Sequence, residues 1–426
     1  MRVGILGTAN IAKKNARAIH RSKDATLVAV ASRDPARAKA WVAEHCAFAG
    51  KLKTCTYDDL LADKDVDAVY VPLPTTMHAE WVPKCARAGK HVLLEKPVGV
   101  SADEYAEMME ACRDAGVVLM DGTMFMHHER LSKLLALFDP SAATYVGTPR
   151  RITSAFSFAG DADFFATNIR IKKGADPLGC VGDLGWYCVR LALCCFQWEM
   201  PTAVHAIQAA ATEDGVPVDV TAEVYFGAKR ERSLSLHCSF RHTLRQWAEV
   251  ETTHEKMVRI DDFVLPTVED GTTLTVHTGA FEPPPPTKLA SGACVQEVCM
   301  WDALAKLVRG GATASGGGVG GGTSSGRDAA FWAEAALKTQ HVVDAIVESC
   351  AVGREVRVRP LPSPGKGKRA TAAAAPSVLL TLLEVLVTML MPFAIVFLIT
   401  YNYPKLPGSP QSDVGMAHDA QSAPWL

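Results

Sequence analysis

The chain has 426 residues, enough to bury more than one core, and at roughly 100–200 residues per domain it should carry two domains with additional segments. Its 44 basic and 46 acidic side chains leave a formal charge of −2 and a pI near 6.7, which excludes a global pull toward nucleic acid. Twelve cysteines without a C-x-x-C pair, several of them (Cys85, Cys112, Cys194, Cys195) in apolar runs, argue against a disulfide framework or a zinc site and point to a reducing compartment.

No targeting segment is expected at the amino terminus, because Val3–Leu6 already reads as a core strand that cleavage would remove. The folded body of the chain is therefore expected in the cytosol. Over residues 1–122, short apolar runs (Val3–Leu6, Thr26–Ala31, Asp67–Val71, His91–Leu94, Val117–Met120) alternate with helical patterns (Ile11–Arg21, Pro35–His45, Met77–Ala88, Ala102–Ala115). Such alternation predicts a doubly wound parallel sheet, an α/β Rossmann domain. Ser101-Ala102-Asp103-Glu104 forms a capping box that opens the last helix.

The first turn reads Gly7-Thr8-Ala9-Asn10-Ile11-Ala12, a G-x-G-x-x-G pattern with alanine at its second and third positions. Gly7 permits the tight turn, Ala12 is small enough for helix–strand packing, and Ala9 places one methyl where backbone approaches a pyrophosphate. The second strand ends in Ala31-Ser32-Arg33, where NAD-selective folds place an acid for the ribose hydroxyl. Ser32 and Arg33 suit the 2′-phosphate of NADP instead. Asp34 follows directly, so NAD stays open.

His91-Val92-Leu93-Leu94-Glu95-Lys96-Pro97 is a buried strand that ends in a lysine between an acid and a proline. An ammonium at the carboxyl end of a parallel strand lies where open α/β sheets bind ligands, and Pro97 fixes the backbone beyond it. Lys96 is thus the first candidate for chemistry. Farther on, Gly179-Cys180-Val181-Gly182-Asp183-Leu184-Gly185-Trp186-Tyr187 runs into the apolar stretch Cys188–Phe196. Asp183 and Tyr187 are four apart, so a helix starting near Asp183 would put a carboxylate and a phenol on one face. By themselves they read equally as an N-cap and a core aromatic.

From about residue 145 the pattern changes to longer alternating segments: Arg151–Phe158, Ala203–Ala209, Ala222–Phe226, Ser233–Phe240, Gln246–Thr252 and Lys256–Ile260. These predict an α+β domain over 123–360 with a mostly antiparallel open sheet whose other face is free to pair with a second subunit. Ala329–Cys350 reads as a long amphipathic helix. Pro283–Pro286 and the glycine-rich Gly310–Gly326 read as surface insertions.

Taken together, the Gly7–Ala12 turn, Pro72-Leu73-Pro74 followed by His78, and Glu95-Lys96-Pro97 resemble the Gfo/Idh/MocA oxidoreductase family over roughly residues 1–360. Within it, Tyr70-Val71-Pro72-Leu73-Pro74 and Phe156-Ser157-Phe158-Ala159-Gly160-Asp161 resemble the branch of dimeric dihydrodiol dehydrogenase and NADP-dependent D-xylose dehydrogenase, including plant members.

The resemblance implies a homodimer that transfers hydride between a nicotinamide and a hydroxyl of a sugar, cyclic polyol or trans-dihydrodiol. It places Gly7, Ala9, Asn10, Ile11, Ser32, Arg33, Pro72, Leu73, His78, Glu95 and Lys96 around NADP. It puts Asp183 and Tyr187 on the substrate side, with tyrosine as acid/base. A free tyrosine titrates near 10, so Lys96 is expected to lower its pKa and to hydrogen-bond the substrate oxygen, with Asp183 orienting substrate or lysine. The inverse assignment, Lys96 as the base, stays open. His127 and Arg170 are weaker candidates for substrate contact, and a resident metal is not expected. A second reading keeps the fold and NADP(H) without turnover, as a membrane-tethered redox sensor. Lys96, Asp183 and Tyr187 argue against it, since a sensor needs no acid/base set.

After a linker at 361–377, Val378–Tyr401 is a 24-residue apolar run with fifteen Leu, Ile, Val or Phe residues. As a helix it would span about 36 Å, enough for a hydrocarbon core of about 30 Å. Lys366, Lys368 and Arg369 precede it and Lys405 follows, before a polar tail at 402–426. The charge bias predicts a single transmembrane helix that anchors a cytosolic enzyme domain to a membrane.

Overall fold

The structure is a computed structural model that describes residues 1–266, 272–279, 285–290, 294–310 and 327–361. All of them belong to one compact unit, Met1–Leu361. The first sheet contains β1 (Arg2–Leu6), β2 (Thr26–Ala31), β3 (Lys53–Cys55), β4 (Ala68–Val71), β5 (His91–Leu94) and β6 (Leu119–Asp121). Between them run α1 (Asn10–Arg21), α2 (Pro35–His45), α3 (Tyr57–Ala62), α4 (His78–Arg87) and α5 (Ala102–Asp114). The strand order is β3-β2-β1-β4-β5-β6, with every pair parallel. Helices cover both faces, which is why β4 is buried along its whole length and its sequence carries no polar alternation.

β3 and α3 were not anticipated, since three residues with one apolar side chain give no periodic signal. The α3 boundary is nevertheless encoded, because Thr56 and Asp59 form a reciprocal capping box. At the predicted Ser101 box the first half forms, with Glu104 N donating to Ser101 Oγ. Glu104 reaches one residue farther back and accepts from Val100 N at 2.7 Å.

α6 (Glu129–Ala136) leads into the second layer, made of β7 (Pro149–Ala159), α7 (Ala162–Thr167), α8 (Trp186–Cys195), β8 (Ala203–Ala211), β9 (Pro217–Phe226), β10 (Arg232–Ser239), β11 (Arg241–Thr252), β12 (Lys256–Ile260), β13 (Thr273–Thr278) and β14 (Thr287–Ala290). α9 (Gln296–Gly310), α10 (Ala329–Val352) and β15 (Val356–Arg357) follow. The nine strands order as β14-β13-β12-β11-β7-β10-β9-β8-β15. β10 and β7 pair in parallel and the other pairs are antiparallel, so the sheet is mixed with the expected bias. Alternation sets its faces. Along β9, Val218, Val220, Ala222 and Val224 are buried, while Thr221, Glu223 and Tyr225 point to the open side.

α8 sits between the layers, and all ten of its residues are buried. Its Arg190 forms an ion pair with Asp121 at the end of β6, both side chains fully buried, and donates to Thr339 of α10 at 2.7 Å. One guanidinium thus ties the first sheet, α8 and α10 together. Removing either partner would strand the other charge in the interior, an effect of about 3–5 kcal/mol. Arg190→Met is therefore expected to lower the unfolding free energy by that amount in a denaturant titration. A loss below about 1 kcal/mol would mean that water reaches the pair.

The run 311–326, residues 283–284 of the polyproline stretch, and 362–426, including the Val378–Tyr401 span, lie outside the described residues. Among the described residues no helix is long and apolar enough to cross a membrane. None of the twelve cysteines forms a disulfide.

Candidate active site

The strand order reverses between β1 and β4, and ligands of open α/β sheets bind at the carboxyl ends of strands beside such a point. Gly7 follows β1 with φ +120°, a conformation that side-chain-bearing residues rarely adopt. Its amide donates to Ala31 O at 2.9 Å, and an added Cβ would stand 3.2 Å from Leu73 Cδ2. Ala9 caps α1 with no side-chain hydrogen bond, and the first turn carries no acid. Ala12 N turns back to Ala9 O at 3.1 Å, so the Asn10 and Ile11 amides are those left for an anion, as a pyrophosphate requires. Leu73, from the turn after β4, roofs the Gly7 bend.

After β2, Ser32 is buried and Arg33 is exposed. Asp34 caps α2, its carboxylate accepting from Ala36 N at 2.9 Å. That bond turns the acid toward its own helix. Arg37, also exposed, lies one turn on, and Tyr57 stands close by with its hydroxyl 3.6 Å from the Gly7 Cβ position. Burial raises the Tyr57 pKa while the Arg33 and Arg37 charges pull it back. Arg37 and Tyr57 were not anticipated, since their place beside the turn depends on α2 and α3 docking.

The central contact is Lys96. At the end of β5 its ammonium donates to Asp183 Oδ1 at 2.5 Å and to the Asp183 carbonyl at 2.8 Å, with the two side chains 9% and 12% exposed. Arg170 Nε meets the other oxygen, Asp183 Oδ2, at 2.8 Å, and the arginine keeps 39% of its side chain exposed. Burial would raise the Asp183 pKa, but Arg170 and Lys96 outweigh it and hold the carboxyl at about 2. The Lys96 ammonium also lies over the Tyr187 ring, 4.9 Å from its centroid. Amine, carboxylate and phenol from separate halves of the chain therefore converge, with Arg170 as a fourth member.

Local sequence explains how Asp183 arrives there. Val181–Gly185 forms a wide π turn before α8, and such turns concentrate at functional sites. A Cβ on Gly182 would lie 2.7 Å from Leu178 Cβ and 3.0 Å from Pro97 Cγ, so glycine lets the turn press against the Lys96–Pro97 corner. The Lys96–Pro97 peptide bond is cis. Across the cleft, Thr75 N and Oγ1 donate to Asp176, the amide at 3.2 Å, and Thr76 N donates to Ala175 O at 3.1 Å. These bonds latch the segment before Asp183 onto the Pro72–Pro74 turn.

Behind Lys96 runs a buried relay that sequence reasoning missed. Trp301 Nε1 donates to Asn15 Oδ1 at 3.0 Å, Asn15 Nδ2 donates to Tyr70 Oη at 2.7 Å, and Tyr70 Oη donates to Glu95. Burial raises the Glu95 pKa, against the lowering effect of the Tyr70 hydrogen bond and the Lys96 charge. α9, the element that supplies Trp301, was also unforeseen, being set between low-complexity runs.

Three of the expected residues have surroundings that the sequence does not show. His78 is fully enclosed, its Nε2 3.0 Å from Leu73 O and its Nδ1 3.3 Å from Val98 O. It braces the turn that roofs the cleft and offers no polar atom to a cofactor. His127 is buried, stacks on Trp332 of α10 with centroids 4.4 Å apart, and has a pKa lowered to about 3 by burial and by Arg327 and Arg190. It packs against α10. The third is Tyr187. Its hydroxyl faces Met124 Sδ at 3.5 Å, and burial, then Glu95 and Asp183, raise its pKa well above 10. The Lys96 ammonium, held by Asp183, lies over the face of the ring.

Residues 1–123 match the oxidoreductase family with an NAD-binding Rossmann fold, and residues 141–258 match the GFO/IDH/MocA C-terminal domain. The chain is 39% identical over 203 residues to D-xylose 1-dehydrogenase (NADP(+)) 2 of Haloferax volcanii, covering 45% of this chain and 56% of that protein. It is 32% identical over 270 residues to dTDP-3,4-didehydro-2,6-dideoxy-alpha-D-glucose 3-reductase of Saccharopolyspora spinosa, covering 63% of this chain and 77% of the relative. Among solved structures, a 3-ketoreductase from Actinomadura kijaniata in complex with NADP superposes with a TM-score of 0.65 at 25% identity, over 82% of this chain and 97% of that one. The aldose-aldose oxidoreductase of Caulobacter crescentus has the same fold, with a TM-score of 0.69 at 22% identity over 84% and 99% of the two chains. The fold and site define a two-domain nicotinamide-type oxidoreductase scaffold. The chain belongs to the Gfo/Idh/MocA family.

Proposed function

We propose that the protein is an NADP-dependent oxidoreductase acting on a secondary or hemiacetal hydroxyl, or the matching carbonyl, of a sugar, cyclic polyol or trans-dihydrodiol. The observation that carries this reading is the Lys96–Asp183 ion pair, which joins the end of β5 to the second domain beside Tyr187. The relatives named for xylose, deoxysugar and NADP chemistry support the same class. The open amides of α1 and the bend at Gly7 fit a pyrophosphate; Arg33 and Arg37 fit a 2′-phosphate, because Asp34 is engaged as a helix cap. When bound, the nicotinamide supplies the hydride acceptor or donor.

The chain's own groups do the rest. Asp183, ionised between Arg170 and Lys96, fixes the ammonium over the phenol. Lys96 is the hydrogen-bond donor that would stabilise negative charge developing on the substrate oxygen. Tyr187, protonated across neutral pH, is suited to give a proton to that oxygen when a carbonyl is reduced. Arg170, partly exposed, binds a substrate hydroxyl. The open face of the second sheet, where Ile207 and Leu244 are exposed, would pair two chains. Absorbance of NADPH, followed while the protein is offered aldoses, inositols and dihydrodiols with NADP+ or NAD+, tests the reading. Turnover of at least one class is expected, and binding of NADP+ with no turnover of any would favour the sensor.

Cofactor choice yields a separate expectation. Arg33→Ala is expected to weaken NADP+ by about ten- to a hundredfold, the loss of a charge-assisted phosphate contact, and to leave NAD+ affinity nearly unchanged. Equal losses for both cofactors in a fluorescence titration would remove Arg33 from the 2′-phosphate.

A further inference from the structure

Away from the cleft, three side chains on the second sheet form a set that the activity does not use. Asp219 of β9 receives His237 of β10 on one carboxylate oxygen and His242 of β11 on the other, each Nε2 at 2.9 Å. All three candidate ligand atoms lie within 4.8 Å of one another. We propose that Asp219, His237 and His242 form a binding site for a divalent transition-metal ion, zinc(II) or a close analogue.

The donor chemistry selects that class. Two imidazoles with one carboxylate match ions that take nitrogen readily, whereas calcium and magnesium favour all-oxygen shells. Bond lengths of about 2.0–2.2 Å to such an ion would set the three donor atoms about 3.3 Å apart, against 2.9 Å for the two His–Asp contacts and at most 4.8 Å between any two of the ligand atoms. Binding needs only that both imidazoles carry their proton on Nδ1, so that both Nε2 lone pairs face inward. In the single chain Asp219 is 11% exposed, His237 31% and His242 55%, so the outer side can take a further donor, either water or a group of a second chain paired on this face.

The backbone beneath is fixed before any ion arrives. Asp219 stands opposite Ser239 in the β9–β10 ladder, which places it diagonally beside His237 on the same face. The chain then reverses at Phe240, whose amide donates to Val218 O at 2.9 Å and whose carbonyl accepts from Gly160 N at 2.8 Å. The Phe240 ring is fully buried against Phe158 and Phe164. An ion here would staple three strands at this corner. The neighbouring Cys238 points to the other face, where its sulfur lies 3.3 Å from the Gly185 Cβ position in the turn that carries Asp183.

The test uses the full chain stripped with EDTA and titrated with cobalt(II) alone, then zinc(II) alone. One cobalt per chain with visible ligand-field bands, displaced by zinc, is expected. His242→Ala and Asp219→Asn should each weaken uptake by at least about tenfold and abolish the zinc-dependent rise in melting temperature seen in the parent. His242 lies at an exposed strand start, so its replacement leaves the fold intact, which circular dichroism would verify. A parent protein that binds cobalt no better than His242→Ala, or whose melting temperature ignores zinc, overturns the site and leaves one aspartate hydrogen-bonded to two histidines.

Discussion

Lys96→Met is expected to lower kcat by about a thousandfold while NADP+ still binds within a few-fold of the parent affinity. Methionine keeps most of the length of the side chain but removes the cation that, among the described residues, touches both Asp183 and the face of Tyr187. Arg170 would still pair with Asp183, so the second-domain turn keeps one anchor and the fold should survive. The loss therefore falls on the reacting oxygen, which no longer has a fixed positive partner. Steady-state rates beside a fluorescence titration of cofactor binding separate these effects. A variant that keeps more than about a tenth of the parent kcat would place the chemistry elsewhere.

The second large effect concerns Tyr187 and has a sign that the structure dictates. Its phenol is raised well above 10 by burial and by the carboxylates of Glu95 and Asp183, so it is protonated throughout the neutral range. Carbonyl reduction, which needs the phenol as acid, should run at a rate independent of pH from about 6 to 9. Alcohol oxidation needs the phenolate and should climb about tenfold per pH unit over the same interval, without a plateau. Tyr187→Phe should cost about a hundred- to ten-thousandfold in both directions and flatten the oxidation profile. An oxidation profile that retains its slope in Tyr187→Phe would transfer the acid/base role to Lys96, the inverse assignment.

The part of this site legible from the residues alone is the one whose local pattern implies position. Lys96 ends a strand, so its place at the carboxyl edge follows from strand order alone. Asp183 and Tyr187 read by themselves equally as a cap and a core aromatic, and the family resemblance put them on the substrate side. Arg37, Tyr57 and the Trp301–Asn15–Tyr70–Glu95 relay were invisible because their meaning lies in contacts between elements far apart in the chain, 286 residues in the case of Trp301 and Asn15. His78 and His127 were hard to place for a related reason. A histidine beside a motif looks like a ligand in sequence, and only burial reveals that one braces two carbonyls and the other stacks on Trp332. The Asp219–His237–His242 set escaped notice because it needs the register of β9 against β10 and the reversal at Phe240.

The most direct test of the account follows the hydride itself. The protein is supplied with NADPH carrying deuterium at both C4 positions and a keto-sugar or other carbonyl substrate drawn from the turnover screen, and the alcohol product is examined by mass spectrometry. The account predicts that the product carries the deuterium on the former carbonyl carbon in the parent protein and that label transfer nearly vanishes in the Lys96→Met, Tyr187→Phe double variant. A double variant that labels product at the parent rate, or a parent that consumes NADPH and leaves the product unlabelled, would contradict it.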